Sequence, residues 1–285
     1  MIRDIRPLTF SMITAATFFV TVAAQAIPLF SVDSATEELV RIDSVTGAVS
    51  VVGSLGINAL DVDLARTSDG RLWALNSEFQ TRVDLHEISM TTGAVLSSVQ
   101  VTLGSVGIRS AEGLANSGNL LTLGYSSAGD SDADRFGNLA ASGAISGSVT
   151  TAGVDIDGLG TGTGAVPYYA VDRFPLTFNR IFEFDPAGPS ASLVVDMLDT
   201  FAPNDLVRSG TDILLIDNAT PQLHRIDLGA PAVLNTIALD RPGTYLGLAF
   251  AGPVAPAQAP EPGVLSLLGI GLVGMAVVRR RRRTN

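Results

Sequence analysis

The chain has 285 residues, with 28 acidic and 18 basic side chains and a formal net charge of −10. It contains no cysteine, which excludes disulfide scaffolds and thiolate metal sites. Its composition, 46% apolar and 16% charged, argues against general disorder, and its negative charge argues against nucleic acid as a partner.

The charge is unevenly distributed along the chain. All basic residues are arginines, of which Arg3 and Arg6 lie near the N-terminus and five more lie together near the C-terminus. Residues 27–262 keep 11 arginines against 27 acidic side chains, a net charge of about −16. We therefore expect an acidic body between two segments that have a separate purpose.

Residues 1–26 have the three parts of a secretory signal peptide. Arg3 and Arg6 form a basic start, and residues 8–23 are an apolar run broken only by threonine and serine. Ala24 and Ala26 fit the small-x-small cleavage pattern. The pattern predicts export and cleavage by signal peptidase before Ile27. A permanent N-terminal anchor is the alternative.

The body consists of short apolar runs separated by Gly, Asp, Asn and Ser, which is typical of β-strands and turns. Residues 59–101 form a clear unit of four strand-like runs, with turns that include Asp69-Gly70. Related units follow, and the glycine of the turn before the last strand recurs every 41–50 residues. These turn glycines are Gly47, Gly93, Gly143, Gly188 and Gly229.

Four-stranded units of this length have the period of a β-propeller. The first unit lacks its first strand, and residues 245–250 at the other end supply a matching run. We predict an all-β, five-bladed propeller over residues 27–252, closed by the N- and C-terminal strands. A β-sandwich is the alternative, and residues 126–156 could hold an extra strand pair. The repeats resemble exported bacterial propellers, which implies a scaffold rather than an activity.

An acidic loop lies in the second half of the third unit. Asp130, Asp132 and Asp134 have the spacing of calcium ligands, but Arg135 replaces the sharp-turn glycine and Ala141 the bidentate glutamate. A solvated acidic loop is the favoured interpretation, and calcium binding is the competing hypothesis. No other cofactor is expected.

Further carboxylates recur in the first strand of the units, which lines the central channel of a propeller. They are Asp61, Asp63, Glu112, Asp155, Asp157 and Asp205. Most simply, such residues satisfy turns and strand ends. Acids clustered at one channel mouth would instead favour a secreted hydrolase or lactonase. Because no acid pair carries a signature and no nucleophile elbow occurs, no catalytic residue is assigned.

The two histidines hold the same offset in two units. His86 and His224 both lie in a third strand, between a leucine and a charged residue. Equivalent positions in different blades do not converge, so no shared metal site is expected. We predict that both side chains point outward as ordinary polar residues.

The C-terminal segment has three parts in order. A Pro/Ala-rich linker, residues 253–259, leads to Pro260, Glu261 and Pro262. Residues 263–278 are apolar and would span about 24 Å as a helix, slightly less than a ~30 Å bilayer core. The basic cluster at the end predicts that the body faces away from the cytoplasm. It consists of Arg279, Arg280, Arg281, Arg282 and Arg283.

This segment, residues 260–285, resembles the PEP-CTERM sorting signal of Gram-negative bacteria. The resemblance implies recognition at Pro260, Glu261 and Pro262 by an exosortase, with the chain as substrate and transiently anchored in the inner membrane. An ordinary single-pass tail anchor is the alternative. The resemblance also suggests association with exopolysaccharide or biofilm.

Together these observations predict an exported cell-envelope or extracellular protein without catalytic activity. Its role would be structural or would consist of binding a polysaccharide or a surface protein. Because the body is acidic, anionic polymers would need bridging divalent cations. The alternatives are the secreted hydrolase and a platform for protein interactions.

Overall fold

The computed structural model describes residues 26–78, 81–118, 120–126, 135–151, 155–163, 166–172, 179–185, 190–197, 202–230 and 232–252. These residues form twenty-two β-strands in five sheets, which are the blades of a propeller. The all-β, five-bladed prediction is therefore confirmed. The predicted linker, sorting segment, C-terminal helix and acidic loop, and residues 1–25 of the predicted signal peptide, lie outside the described residues.

Each blade is an antiparallel sheet numbered from the inner strand outward. Blade 1 contains β22 (Tyr245–Phe250), β1 (Pro28–Asp33), β2 (Glu38–Asp43) and β3 (Val49–Ser54). Blade 2 contains β4 (Val62–Arg66), β5 (Leu72–Glu78), β6 (Arg82–Ile88) and β7 (Val95–Gln100). Blade 3 contains β10 (Ala111–Ser117), β11 (Leu120–Tyr125), β12 (Arg135–Leu139) and β13 (Ala144–Thr150).

The last two blades follow the same order. Blade 4 contains β14 (Gly158–Thr163), β15 (Val166–Asp172), β16 (Asn179–Asp185) and β17 (Ser190–Met197). Blade 5 contains β18 (Pro203–Ser209), β19 (Asp212–Asp217), β20 (Gln222–Asp227) and β21 (Ala232–Ala238).

Blade 3 carries an extra strand pair at its outer edge. The short strands β8 (Thr102–Leu103) and β9 (Val106–Gly107) form a hairpin, and β8 pairs in parallel with β13. The extra pair thus precedes the region 126–156 in which the sequence allowed for one. The described part of that region contains only β12, β13 and connecting residues.

The core consists of five apolar clusters, one in each interface between neighbouring blades. Because side chains alternate between the two faces of a strand, a middle strand contributes side chains to the interfaces on both sides of its blade. In β5, Leu72 and Ala74 pack toward blade 1, whereas Trp73 and Leu75 pack toward blade 3. This double burial explains why the middle strands are apolar at successive positions.

The ring is closed within blade 1. Strand β1 pairs with β2 on one side and with β22 on the other, with Leu29 opposite Phe250 and Asp33 opposite Tyr245. Arg241 reinforces the closure, because its guanidinium lies 3.3 Å from the Asp33 carboxylate and 2.7 Å from that of Glu38. The predicted closure by the two terminal strands is confirmed.

The recurring turn glycines hold neighbouring blades together at the rim. Gly47 and Gly93 both have positive φ, 74° and 77°. A Cβ at Gly47 would overlap the carbonyl oxygen of Ala238 in blade 5, and one at Gly93 would overlap that of Gly53 in blade 1. Glycine is therefore required twice over, by its backbone conformation and by close contact with the preceding blade.

Candidate functional site

The inner strands line the axis and share a common pattern. Each contains a buried leucine: Leu64, Leu114, Leu159, Leu206 and Leu248. The residue before the leucine is aspartate in blades 2 and 5 and glycine in the others. These equivalent residues lie side by side around the ring, so the inner strands all run in the same direction.

The two aspartates bridge neighbouring blades. Asp63 accepts a hydrogen bond from the Gly113 backbone N–H at 2.6 Å. Asp205 accepts three, from the N–H groups of Leu206 (2.7 Å), Leu159 (3.2 Å) and Leu248 (2.5 Å). An inner strand pairs with a partner strand on one edge only, so N–H groups on its channel edge need other acceptors. Asp205 thereby joins blades 4, 5 and 1.

Asp205 is completely buried. Burial raises its pKa well above the usual range, and the charge of Asp63 raises it further. The three backbone N–H groups oppose this shift without cancelling it.

A second group of carboxylates surrounds Glu112 where the inner strands begin. We call Asp61, Glu112, Asp155 and Asp157 the acidic mouth. Burial raises the pKa of Glu112 to about 10, with further contributions from Asp61, Asp157, Asp155 and Asp63. At neutral pH Glu112 is therefore a neutral acid beside other carboxyl groups, an arrangement that holds a proton.

The opposite end of the channel has different chemistry. Where the inner strands finish, equivalent positions hold Arg66, Asn116, Thr161 and Arg208, which we call the arginine mouth. Thr161 donates a hydrogen bond to the Asn116 carbonyl at 2.7 Å, and the Arg208 guanidinium lies 6.0 Å from the centre of the Tyr169 ring. Among the described residues, neither Arg66 nor Arg208 forms an ion pair. The inner strands thus begin beside carboxylates and finish beside arginines.

The six channel carboxylates predicted from the sequence therefore divide into two groups. Asp63 and Asp205 are structural acceptors, but they join inner strands of neighbouring blades rather than satisfying turns and strand ends as the simpler interpretation expected. Asp61, Glu112, Asp155 and Asp157 belong to the acidic mouth. Within the described ranges no three His, Asp or Glu side chains are grouped closely enough to hold a metal ion. Calcium binding at Asp130, Asp132 and Asp134, which lie outside those ranges, stays a prediction.

The prediction that both histidines point outward is wrong. His86 and His224 are 6% and 2% exposed, because the face of the third strand that carries each histidine packs against a neighbouring blade, beside Ile88 and Ile226 respectively. The His224 ring lies 2.9 Å from the Thr236 hydroxyl and 3.1 Å from the Asp217 carboxylate. His86 lies 2.8 Å from the Ser98 hydroxyl. The two residues belong to blades 2 and 5, as expected, and do not meet.

Sequence reasoning missed the acids that end the second strands. Asp33 pairs with Arg241, Asp172 with Arg180 at 3.0 Å, and Asp217 with His224. Burial would raise the pKa of Asp217, but hydrogen bonds from His224, Ala202 and Ala219 outweigh it and lower the pKa. The signal was present, since an aspartate recurs at the end of the second strand in three units.

Comparison with known proteins identifies the C-terminal segment. The pattern described as the PEP-CTERM protein-sorting motif matches residues 258–283. The chain carries an exosortase sorting signal. The matched range includes Pro260-Glu261-Pro262 and all five terminal arginines. The signal implies that the protein is exported to the cell envelope, with the propeller as its body.

Solved structures are similar in fold only. A chain of the nidogen/laminin complex is 14% identical, covers 80% of this chain and 99% of that chain, and has a TM-score of 0.52. TolB from Acinetobacter baumannii is 12% identical over 79% of this chain and 66% of its own, with a TM-score of 0.49. No curated protein matches in sequence. Among the described residues, no helix has the length and apolar character needed to cross a membrane.

Proposed function

We propose that the protein is a non-catalytic binding or structural component of the extracellular matrix. The observation that carries the proposal is the acidic mouth, where Asp61, Asp155 and Asp157 surround a Glu112 whose pKa is raised to about 10. Such a site favours cations and repels free anions. Its partner would be an exopolysaccharide held through amino groups of the polymer or through divalent cations that the polymer itself also ligates, since no three acidic side chains of the described residues are grouped closely enough to hold a metal ion alone.

The sorting signal supports this location. Exosortase processing delivers the ring to the cell envelope, where matrix polymers are present. In this proposal the unprocessed chain is anchored transiently in the inner membrane by residues 263–278, and signal peptidase and exosortase are its processing enzymes.

The proposal is tested by binding of the ring, residues 27–252, to polysaccharides. All twenty-two strands lie within these residues, so the fragment contains the complete ring. A glycan array would be probed with calcium, with magnesium and with a chelator. We expect binding to amino sugars or calcium-dependent binding to acidic glycans.

Matched variants assign any binding to its site. Asp157→Asn at the acidic mouth should weaken binding about tenfold, whereas Arg208→Gln at the arginine mouth should leave it unchanged. If neither glycan class is retained under any condition, or if the two variants lose binding equally, the proposal is wrong.

A hydrolase is the second candidate, and one observation favours it. A neutral carboxylic acid beside other carboxyl groups is the arrangement of a general acid and its partner in glycoside hydrolysis. In this case Glu112 would donate the proton, and Glu112→Gln would abolish turnover of chromogenic glycosides or lactones. Absence of turnover by the unaltered protein on both substrate classes would exclude this candidate.

A further inference from the structure

The chain enters and leaves the ring at adjacent points. Strand β1 begins at Pro28 and β22 ends at Phe250, and Leu29 is paired with Phe250. The Ala251 backbone N–H donates a hydrogen bond to the Pro28 carbonyl at 2.8 Å. Both ends therefore emerge on the same face of the ring.

That face is the one with the arginine mouth. Phe250 ends the inner strand β22 at the position equivalent to Arg66 in β4 and Arg208 in β18. Because all inner strands run in the same direction, the chain leaves beside these arginines. The acidic mouth lies at the other end of the inner strands, about 17–20 Å away for a strand of five or six residues.

The distance to the membrane segment restricts how the ring can be turned. Eleven residue steps separate Gly252 from Gly263, so even a fully extended chain reaches at most about 36–40 Å. To bring the acidic mouth to the membrane, the chain would pass outward over three strands, about 14 Å, and then across the ring, about 17–20 Å. That route of about 31–34 Å uses most of the available length, whereas the direct route uses little of it.

We propose that, while the sorting segment is in the membrane, the arginine mouth faces the membrane and the acidic mouth faces outward. This orientation rests on the membrane-held precursor of the proposed function. Where the leaflet that faces the ring carries anionic headgroups, they would attract Arg66 and Arg208 and repel the carboxylates around Glu112, which favours the same orientation. The acidic mouth can thus bind matrix polymers before the sorting segment is processed.

The absence of cysteine allows a direct test. Single cysteines would be introduced by Ser68→Cys, in the exposed turn between β4 and β5 on the proposed membrane face, and by Ala35→Cys, in the exposed turn between β1 and β2 on the other. Each protein, residues 27–285, would be labelled with a fluorophore and reconstituted into anionic vesicles that contain lipids with a spin-labelled headgroup. This quencher acts at short range, so it reports contact with the membrane surface.

We expect the label at residue 68 to be quenched at least threefold more strongly than the label at residue 35. Equal quenching, or stronger quenching at residue 35, in protein that floats with the vesicles would overturn the orientation alone. Failure of the chain to float would overturn both the membrane-held precursor and the orientation. The same variants ended after Gly252 serve as controls and should show little quenching at either site.

Discussion

The inner and outer strands of the ring have opposite chemistry. The inner strands and the residues just before them carry Asp61, Asp63, Glu112, Asp157 and Asp205, of which Asp63 and Asp205 are buried. The outer strands β3, β7, β13, β17 and β21 contain a single charged residue, Asp196, and expose apolar side chains such as Leu96 (63%) and Leu234 (55%). An acidic protein thus places buried acids at its axis and leaves its outermost strands nearly uncharged.

The inner and outer edges of the blades avoid pairing with other chains in different ways. Among the described residues, each blade has an unpaired edge at its inner strand, and every blade except blade 3, whose β13 pairs with β8, also has one at its outer strand. At the inner edge, Asp63 and Asp205 accept N–H groups of neighbouring blades. At the outer edge, the register shifts in every blade where the third strand meets the fourth, a bulge that disrupts pairing with another chain. The inner edge is bonded within the ring, whereas the outer edge of every blade but blade 3 has no further strand beside it among the described residues.

Removal of one inner strand should have the largest effect. A chain ended after Arg241 lacks β22 and with it Tyr245, Leu246 and Leu248 from two interfaces. We expect loss of cooperative thermal unfolding, followed by circular dichroism, whereas a chain ended after Gly252 unfolds cooperatively. Equal melting temperatures would mean that the inner strand does not close the ring.

A rim glycine should come next. In Gly93→Ala the new methyl group collides with the backbone of Gly53 and adopts an unfavourable φ, which should destabilise the protein by about 2–5 kcal/mol. Gly210→Ala is the matched control, since Gly210 has a φ of 64° with open space around it. It should lose only about 1–2 kcal/mol in urea unfolding. Similar losses for the two variants would contradict the contact between blades.

The two axial aspartates should differ in importance. Asp205→Ala removes the acceptor of three backbone N–H groups and should lower the free energy of unfolding by about 3 kcal/mol or more. Asp63→Ala removes the acceptor of the Gly113 N–H and should lower it by about 1–2 kcal/mol. Urea unfolding measures both. A larger loss of unfolding free energy for Asp63→Ala than for Asp205→Ala would show that Asp205 is not the more important acceptor at the axis.

Glu112 should make stability depend on pH. Its folded-state pKa of about 10 exceeds the unfolded value near 4.5, so the folded state holds a proton that the unfolded state releases. Stability should therefore fall as pH rises from about 5 toward 10. Glu112→Gln should raise Tm at pH 8 by at least about 2 °C and reduce this slope. An unchanged slope in scanning calorimetry would show that Glu112 is not the group responsible.

The smallest effect should occur on the circumference. Leu234→Thr in β21 removes an exposed side chain at a bulge and should change the free energy of unfolding by no more than about 0.5 kcal/mol. A loss above 1 kcal/mol in urea unfolding would indicate that the outer edge contributes to the fold as the inner edge does.

Much of the fold was predictable because its signals are local. The turn glycines mark each blade, and at Gly47 and Gly93 the reason is a positive φ together with contact at the rim. The missing first strand and the run at residues 245–250 indicated closure without any long-range information. The hairpin of β8 and β9 was missed because strands of two residues leave no periodic pattern.

The site was less predictable. Acid residues in the first strands were visible in the sequence, but their division into axial acceptors and an acidic mouth depends on which edges face the channel. The histidines were misjudged because a polar residue in a strand suggests exposure, whereas the face of the third strand that carries each histidine is covered by a neighbouring blade.

The sequence by itself determined the number of blades, the split first blade and the sorting signal. Each follows from residues close together in the chain or from their regular spacing. Only the tertiary structure decided that Glu112 lies at the same end of the channel as Asp61, Asp155 and Asp157. It alone also decided that the chain enters and leaves the ring on the face with the arginines. These facts depend on the common direction of five strands around one axis, which brings residues from distant parts of the chain to the same end of the channel.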